Sequence, residues 1–264
     1  MTKIIIIAII IFIIAISMAI TGRGGGNFYV PVLIAAGIPM HRAATCGQLI
    51  LAGAALAAML VFHRHRTVDW KLALVIDPPT DIMAFVGGYY AHIFSGVALK
   101  FVFAGLLVLA GFFMLRPVKE RTVEKRYGFW QRRFGEYDYA VNLWLALPIT
   151  ALTGFFAGMV GISGGSFKIP LMVLACGVPM RIAVGTSSAM VAATALMGFF
   201  GHKAAGDFNP AVALPLAAAA VAGGLIGGGF SLKINPQHLK RIFAYTTLAA
   251  AVFMALNALL SLSG

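Results

Sequence analysis

Charged residues are scarce in this sequence. Only 11% of its 264 residues are Asp, Glu, Lys or Arg, whereas about a quarter are charged in an average soluble domain. Residues 4–20 carry no charge at all, and several later apolar runs approach the ~20 residues that a membrane-spanning helix needs. This excludes a soluble domain and predicts an all-α, polytopic helical membrane protein. A cleaved signal peptide is the alternative for residues 1–20, but the TGRGGGN that follows is not a small-x-small cleavage site.

Acidic residues are the scarcer charge, at 8 against 20 Lys and Arg, which gives a net charge of +12. The excess forms no soluble basic domain, so we expect no nucleic-acid partner. The basic residues cluster in short connections between apolar runs, where they set the orientation in the lipid bilayer and meet anionic lipid. The densest cluster, residues 116–138, is interpreted as a basic cytoplasmic linker, either with an interfacial amphipathic helix or as a plain solvated connection.

Cysteine is nearly absent as well. Cys46 and Cys176 have no Cys or His neighbour at metal-ligand spacing, so we expect no disulfide framework, no metal and no cofactor. The apolar segments also lack the nucleophile–base or histidine-pair arrangement that an intramembrane enzyme needs, and the small number of intramembrane acids disfavours a cation transporter. No ATP-binding motif occurs, so any transport by such a protein would have to draw its energy from a gradient or from a partner.

What the sequence does contain is a duplication. The stretch GRGGGNFYVPVLIAAGIPM aligns with GISGGSFKIPLMVLACGVPM, so that Pro31 and Gly37 match Pro170 and Gly177. Residues 1–115 are therefore predicted to form a first transmembrane repeat and residues 139–264 a second, each with one long helix, a glycine break, a short half-helix and three further helices. Inverted repeats leave more of the loop Lys and Arg on the cytoplasmic side than parallel repeats do, so we predict inversion.

Each repeat interrupts its apolar sequence with glycines, in the first break (residues 22–27, GRGGGN) and the second break (residues 161–166, GISGGS). Non-helical backbone at membrane depth is tolerated where it is buried in protein or lines a watery cavity, and the N–H groups at a helix start attract anions. Close helix packing through small residues is the alternative. The predicted anion-binding residues of the two breaks are Gly24, Gly25, Gly26, Asn27, Ser163, Gly164, Gly165 and Ser166, with Asn27 and Ser166 as capping residues and with Arg23 and Lys168 as contributors of positive charge.

Two further groups of polar residues interrupt the apolar runs. Thr186, Ser187 and Ser188 open the helix after the second break, and Gln48 lies at the corresponding place in the first repeat. We expect these donors to close the far wall of the anion site, although any one of them could simply bond a neighbouring turn.

Asp77 and Asp81, four residues apart inside an apolar run, are the candidate proton-coupling residues. The alternative for Asp77 is that it caps a helix whose first residue is Pro78. The second repeat has Ala217 and Val221 at these positions, so the role cannot be symmetric.

The paired glycine breaks, the GTSS sequence at 185–188 and the glycine pairs 87–88 and 227–228 resemble the sulfite exporter TauE/SafE family of bacterial membrane permeases. The first repeat departs from the pattern, since Arg23 enters its break and Thr45-Cys46-Gly47 replaces Gly-Thr-Ser. The resemblance implies a secondary transporter of sulfite, sulfonates or other small sulfur-containing anions in the bacterial inner membrane. The alternatives are an intramembrane enzyme and a non-transporting assembly or sensor subunit; a homo-oligomer stays an option.

Overall fold

A computed structural model describes residues 2–115, 128–162, 164–205 and 208–260. Within these ranges the chain forms eleven α-helices and one β-hairpin, and the predicted all-α membrane fold is confirmed. The helices are α1 (Thr2–Ala19), α2 (Gly26–Ala35), α3 (Met40–Arg64), α4 (Trp70–Ile76), α5 (Pro78–Tyr90), α6 (Gly96–Leu115), α7 (Leu143–Val160), α8 (Gly165–Pro170), α9 (Met180–Ala204), α10 (Pro210–Ser231) and α11 (Pro236–Leu260). A π-helical turn, Leu171–Ala175, extends α8.

Four of these helices, α3, α7, α9 and α10, are long and apolar enough to cross a membrane by themselves. The other long apolar helices also expose large aliphatic side chains, as at Ile5, Ile9 and Ile13 of α1, each more than half exposed. Apolar surface of this extent on a monomer suits lipid better than water. The chain is a multi-pass membrane protein.

The first half has four α-helices after α2 and not the predicted three, because α4 and α5 together occupy the place that the single helix α10 holds in the other half of the chain. The first-repeat helix is interrupted at Asp77 because Pro78 and Pro79 follow it. Proline lacks the N–H that would bond the carbonyl four residues earlier, and its ring clashes with that carbonyl. The interruption leaves the Asp77 side chain beside the bundle interior, where it is buried.

Part of the predicted cytoplasmic linker is a β-hairpin. Strand β1 (Phe129–Phe134) pairs antiparallel with β2 (Tyr137–Asn142), and no amphipathic helix forms between 128 and 138; residues 116–127 lie outside the described part of the chain. In β2 the alternate residues Tyr139 and Val141 are buried, as expected for a strand that packs on one face. The predicted boundary after residue 138 therefore falls inside a strand.

Helix α5 of the first half packs against α7 and α9 of the second half, and α10 packs against α1 and α3 in the corresponding manner. Gly154 of α7 lies against Thr80 and Gly158 lies against Ala84, so α5 and α7 run in the same direction. Small residues allow the two backbones to approach this closely. The two halves of the chain are thus interlocked rather than side by side.

Helix α10 likewise runs parallel to α1, since Gly223 and Gly227 lie against Phe12 and Ile16 in the same order. Helix α10 also runs parallel to α3, because Gly224 lies against Ala54 and Gly228 lies against Ala58. Since α1 and α3 both run parallel to α10, residues 20–39 must return the chain to the side on which α1 began.

The central helices α3 and α9 run in opposite directions. Gly198, near the end of α9, lies against Gln48 near the start of α3, and Gly185, near the start of α9, lies against Thr67 just past the end of α3. This is the relation that inverted repeats require. The orientation of the repeats in a membrane stays a prediction, tested by the labelling experiment described below.

Candidate functional site

The two glycine breaks approach the middle of the central helix pair. A Cβ placed on Gly24 of the first break would lie 2.6 Å from Leu51 Cδ1 of α3 and 3.4 Å from Val191 Cγ1 of α9. A Cβ placed on Gly164 of the second break would lie 3.7 Å from Thr194 Cγ2, one turn further along α9. The two breaks therefore lie beside adjacent turns of α9, deep inside the bundle.

Glycine performs a different task in each break. The first break turns through left-handed backbone at Gly24 and Gly25, with φ of 68° and 101°, which side chains other than glycine rarely adopt. Both breaks also begin with a left-handed glycine, Gly22 with φ of 72° and Gly161 with φ of 80°. Gly164 has an ordinary helical φ of −56°, so its lack of a side chain matters for the space beside it and not for the backbone turn.

The predicted capping positions are wrong by two residues in both breaks. Helix α2 begins at Gly26 with Gly25 as its N-cap, and α8 begins at Gly165 with Gly164 as its N-cap, and neither cap uses a side chain. Asn27 and Ser166 therefore lie inside the first turn, because glycine N-caps already supply the entry turn. The Asn27 side chain and the whole of Ser163 lie outside the described residues, and Ser166 is fully buried.

Arg23 is buried at the first break, with 1% of its surface exposed. Its guanidinium donates to the hydroxyls of Thr246 and Thr247 on α11, and its Nε donates to Thr21 Oγ1 at 3.1 Å. Arg23, which was predicted to contribute positive charge, thereby attaches the first break to α11.

Lys168 is fully buried in α8. Directly or through Thr194, its ammonium is connected to Asp77 and Asp81, the two acids predicted to couple protons. Its ammonium contacts the carboxylate of Asp77 and donates to Thr194 Oγ1 at 2.6 Å. Thr194 in turn donates to Asp81 Oδ1 at 2.7 Å. The side chain of Asp77 makes no capping bond to α5, so the capping alternative is replaced by an ion pair that joins α4–α5 to the second break.

The residues predicted to form the far wall of the anion site do not lie together. Gln48 lies against Gly198 and donates to the Ala157 carbonyl at 3.3 Å, whereas Ser187 lies eleven residues before Gly198 on α9. Eleven helical residues span roughly 16 Å. Gln48 and Ser187 therefore lie toward opposite ends of the central pair, because α3 and α9 are antiparallel.

The three hydroxyls at the start of α9 have different surroundings. Thr186 accepts the Asp69 backbone N–H at 2.9 Å, and Ser188 donates to the Val184 carbonyl of its own helix at 3.1 Å. Ser187 Oγ is buried, and among the described residues it has no hydrogen-bond partner; the same holds for Gln48 Oε1. Unsatisfied buried polar atoms are costly, so these two are the free polar groups best placed to contact a ligand.

A buried cluster outside the predicted site fixes the hairpin to the bundle. Asp69 caps α4 and accepts two hydrogen bonds of 2.9 Å from Arg132, and Tyr139 donates to the same carboxylate. Burial alone would raise the pKa of Asp69, but the bonds from Arg132 and Tyr139 outweigh it and lower that pKa. The sequence contains one signal for this cluster, because Asp69 is an isolated acid directly before a helix start. It was not among the predicted site residues.

Comparison with known proteins decides the family of this chain. The model of the sulfite exporter TauE/SafE family matches residues 7–254. The chain belongs to the TauE/SafE family.

Several proteins are similar to this TauE/SafE chain along most of their length. The probable membrane transporter protein YunE of Bacillus subtilis is 25% identical over 85% of this chain and 87% of its own. A probable membrane transporter protein of Xylella fastidiosa is 23% identical over 92% of this chain and 91% of its own. No solved structure matches this chain. The family and these relatives indicate a membrane transporter and not an enzyme.

Proposed function

We propose that this TauE/SafE protein is a secondary transporter of small sulfur-containing anions, such as sulfite or organosulfonates, in the bacterial inner membrane. The observation that carries the proposal is the pair of buried basic side chains, Arg23 and Lys168, one at each glycine break in the middle of the bundle. Cations are rarely taken out of water without a purpose, since burying a charge costs several kcal/mol. Positive charge beside the backbone N–H groups of a helix start favours an oxyanion.

The anion is bound between the two breaks. Gly24, Gly25 and Gly26 line one side, and Gly164, Gly165 and Ser166 line the other; Asn27 and Ser163 are proposed to add side-chain donors. Glycine places no Cβ atom beside the backbone amides. The side chains of Leu51, Tyr29 and Lys168 fill the space beside Gly24, Gly25 and Gly164, so they have to move aside for the anion.

Gln48 and Ser187 are proposed to meet the anion on its way in and out, one toward each end of the central helix pair. With inverted repeats, rocking of one half against the other around the breaks would expose the site first to one side of the membrane and then to the other. The side chains of Thr186 and Ser188, which already have partners, then hold the start of α9 in place.

The experiment is a thermal-shift and binding series in detergent with sulfite, thiosulfate, ethanesulfonate and sulfate. A ligand at 100 times its Kd stabilises the folded protein by about 2.7 kcal/mol, so a bound anion raises the melting temperature measurably. Anions that leave the melting temperature unchanged throughout the series would contradict the proposal.

Two variants locate the site. Gly165→Ala places a methyl group beside the amides of the second break, and Ser187→Ala removes a donor. A hydrogen bond to a charged group is worth roughly 1.5–3 kcal/mol, so losing one should weaken anion binding by about 10- to 150-fold. The matched controls are Gly105→Ala, where nothing lies within 4 Å of the new Cβ, and Ser188→Ala, whose hydroxyl bonds its own helix. Full anion affinity in both test variants would refute the site.

A further inference from the structure

The Lys168 ammonium lies at the second break itself. A Cβ added to Gly164 would meet Lys168 Cε at 3.3 Å and Nζ at 3.5 Å, so the ammonium occupies the space that the missing side chain leaves. In this position it is already neutralised by the Asp77 carboxylate. The cation expected to attract a substrate anion is therefore held by an anion that belongs to the protein.

The charge of this cluster limits what can be added to it. It contains one ammonium, Lys168, and two carboxylates, Asp77 and Asp81, joined through Thr194. Lys168 is fully buried and Asp77 is 5% exposed. A substrate anion entering alone would add a further negative charge to a buried site that already has an excess of carboxylate, which is energetically prohibitive.

On the basis of the proposed anion transport, we propose that the substrate anion and Asp77 compete for the Lys168 ammonium. Each monovalent anion then binds together with one proton, which is taken up by Asp77. The proton moves from water to a carboxylate oxygen of Asp77. The ion pair between Lys168 and Asp77 breaks, and an ion pair between Lys168 and the anion replaces it. No covalent bond of the substrate changes, and the buried charge is the same before and after binding.

Geometry selects Asp77 over Asp81 for this exchange. Asp77 contacts the ammonium directly, whereas Asp81 is half-buried and is held by the Thr194 hydroxyl. The groups that act on Asp77 are the Lys168 ammonium from α8 and, from α5, the Thr80 hydroxyl and the Asp81 carboxylate. Thr194 from α9 bonds Lys168 and Asp81, and α7 contributes Gly154 and Gly158 against α5. The nearest histidine of α9, His202, lies two turns beyond Thr194 and contacts the Gly158 carbonyl.

The competition occurs in one half of the molecule only. The residue that matches Lys168 in the first break is Tyr29, whose hydroxyl donates to the Gly24 carbonyl at 2.6 Å, and Ala217 replaces Asp77 in the second half. The anion thus exchanges with a proton at the second break, while Arg23 keeps its threonine partners at the first. Transport of a monovalent anion is then an electroneutral symport with one proton.

The first test needs no variant. Ethanesulfonate is the probe because its charge is constant at ordinary pH, unlike that of sulfite. Calorimetry of its binding in two buffers of different ionisation enthalpy should show an uptake of about one proton per anion at a pH where Asp77 is ionised. In the same range the affinity should fall about tenfold for each unit of rising pH. Binding of ethanesulfonate without proton uptake would overturn the competition and leave the anion site intact.

The second test identifies the acid and measures coupling. In Asp77→Asn the affinity should be independent of pH, while the control Asp81→Asn should keep the pH dependence. In proteoliposomes the unaltered protein should accumulate ethanesulfonate in response to a pH gradient and not to a membrane potential, and Asp77→Asn should respond to the potential instead. A pH dependence that persists in Asp77→Asn, or uptake that depends on Na⁺, would refute the inference, whereas failure to bind any of the sulfur anions would refute the proposed function itself.

Discussion

Gly158 is a position where a single added methyl group should strongly disturb the transporter. A Cβ at Gly158 would lie 2.1 Å from the Ala84 carbonyl oxygen of α5 and 2.6 Å from Ala84 Cα, while ordinary contacts begin at 3.4 Å. The obstacle is backbone, which cannot rotate away as a side chain can. In Gly158→Ala, α5 must therefore move away from α7 by about 1.3 Å, the difference between 3.4 and 2.1 Å.

Overpacking of this kind costs about 1–3 kcal/mol, which corresponds to a fall in melting temperature of several degrees for a chain of this size. Because α5 follows Asp77 and carries Asp81, the same displacement should also weaken the contact with Lys168 and thus change the pH dependence of anion binding. The assay is thermal unfolding in detergent followed by anion titration at two pH values. The control is Gly229→Ala in α10, where a Cβ meets nothing within 4 Å. A Gly158→Ala protein as stable as the control would show that α5 and α7 do not pack as described.

Two further predictions concern the side of the bundle that is predicted to be cytoplasmic. Arg132→Ala should destabilise the docked hairpin by about 3–5 kcal/mol because it leaves the Asp69 carboxylate buried without its charged partner, and protease sensitivity of the hairpin measures the loss; an unchanged digestion pattern would contradict the docking. Since the folded pKa of Asp69 is below its ordinary 3.8, this contribution is complete above that pH and is lost as the pH falls through the folded value. For inverted repeats, single cysteines at His65 and Gln237, in a protein whose two native cysteines are replaced, should both be shielded from an external impermeant thiol reagent, and labelling from opposite faces would favour parallel repeats.

The sequence by itself determined the class of protein and the places where its helices stop. Apolar length decides whether a segment can span a bilayer, and glycine acts on the backbone locally, so the breaks near Gly25 and Gly161 were readable without a structure. A helix start at Pro78 was considered only as an alternative. Polar residues inside apolar runs, such as Asp77 and Lys168, were also recognisable from the sequence, because burying an ionisable group in such surroundings costs free energy.

Only the tertiary structure decided which of these residues meet. Lys168 and Asp77 lie 91 residues apart in the chain, and their contact depends on α5 packing across the molecule against α7 and α9. The same packing separates Gln48 from Ser187, which the sequence had placed together. Hydrophobic patterning could not reveal this arrangement, because lipid and protein interior are equally apolar and the face of a membrane helix that meets its neighbours carries little hydrophobic signal. The information lies instead in where small residues such as Gly154 and Gly158 permit close approach, and that depends on the partner helix.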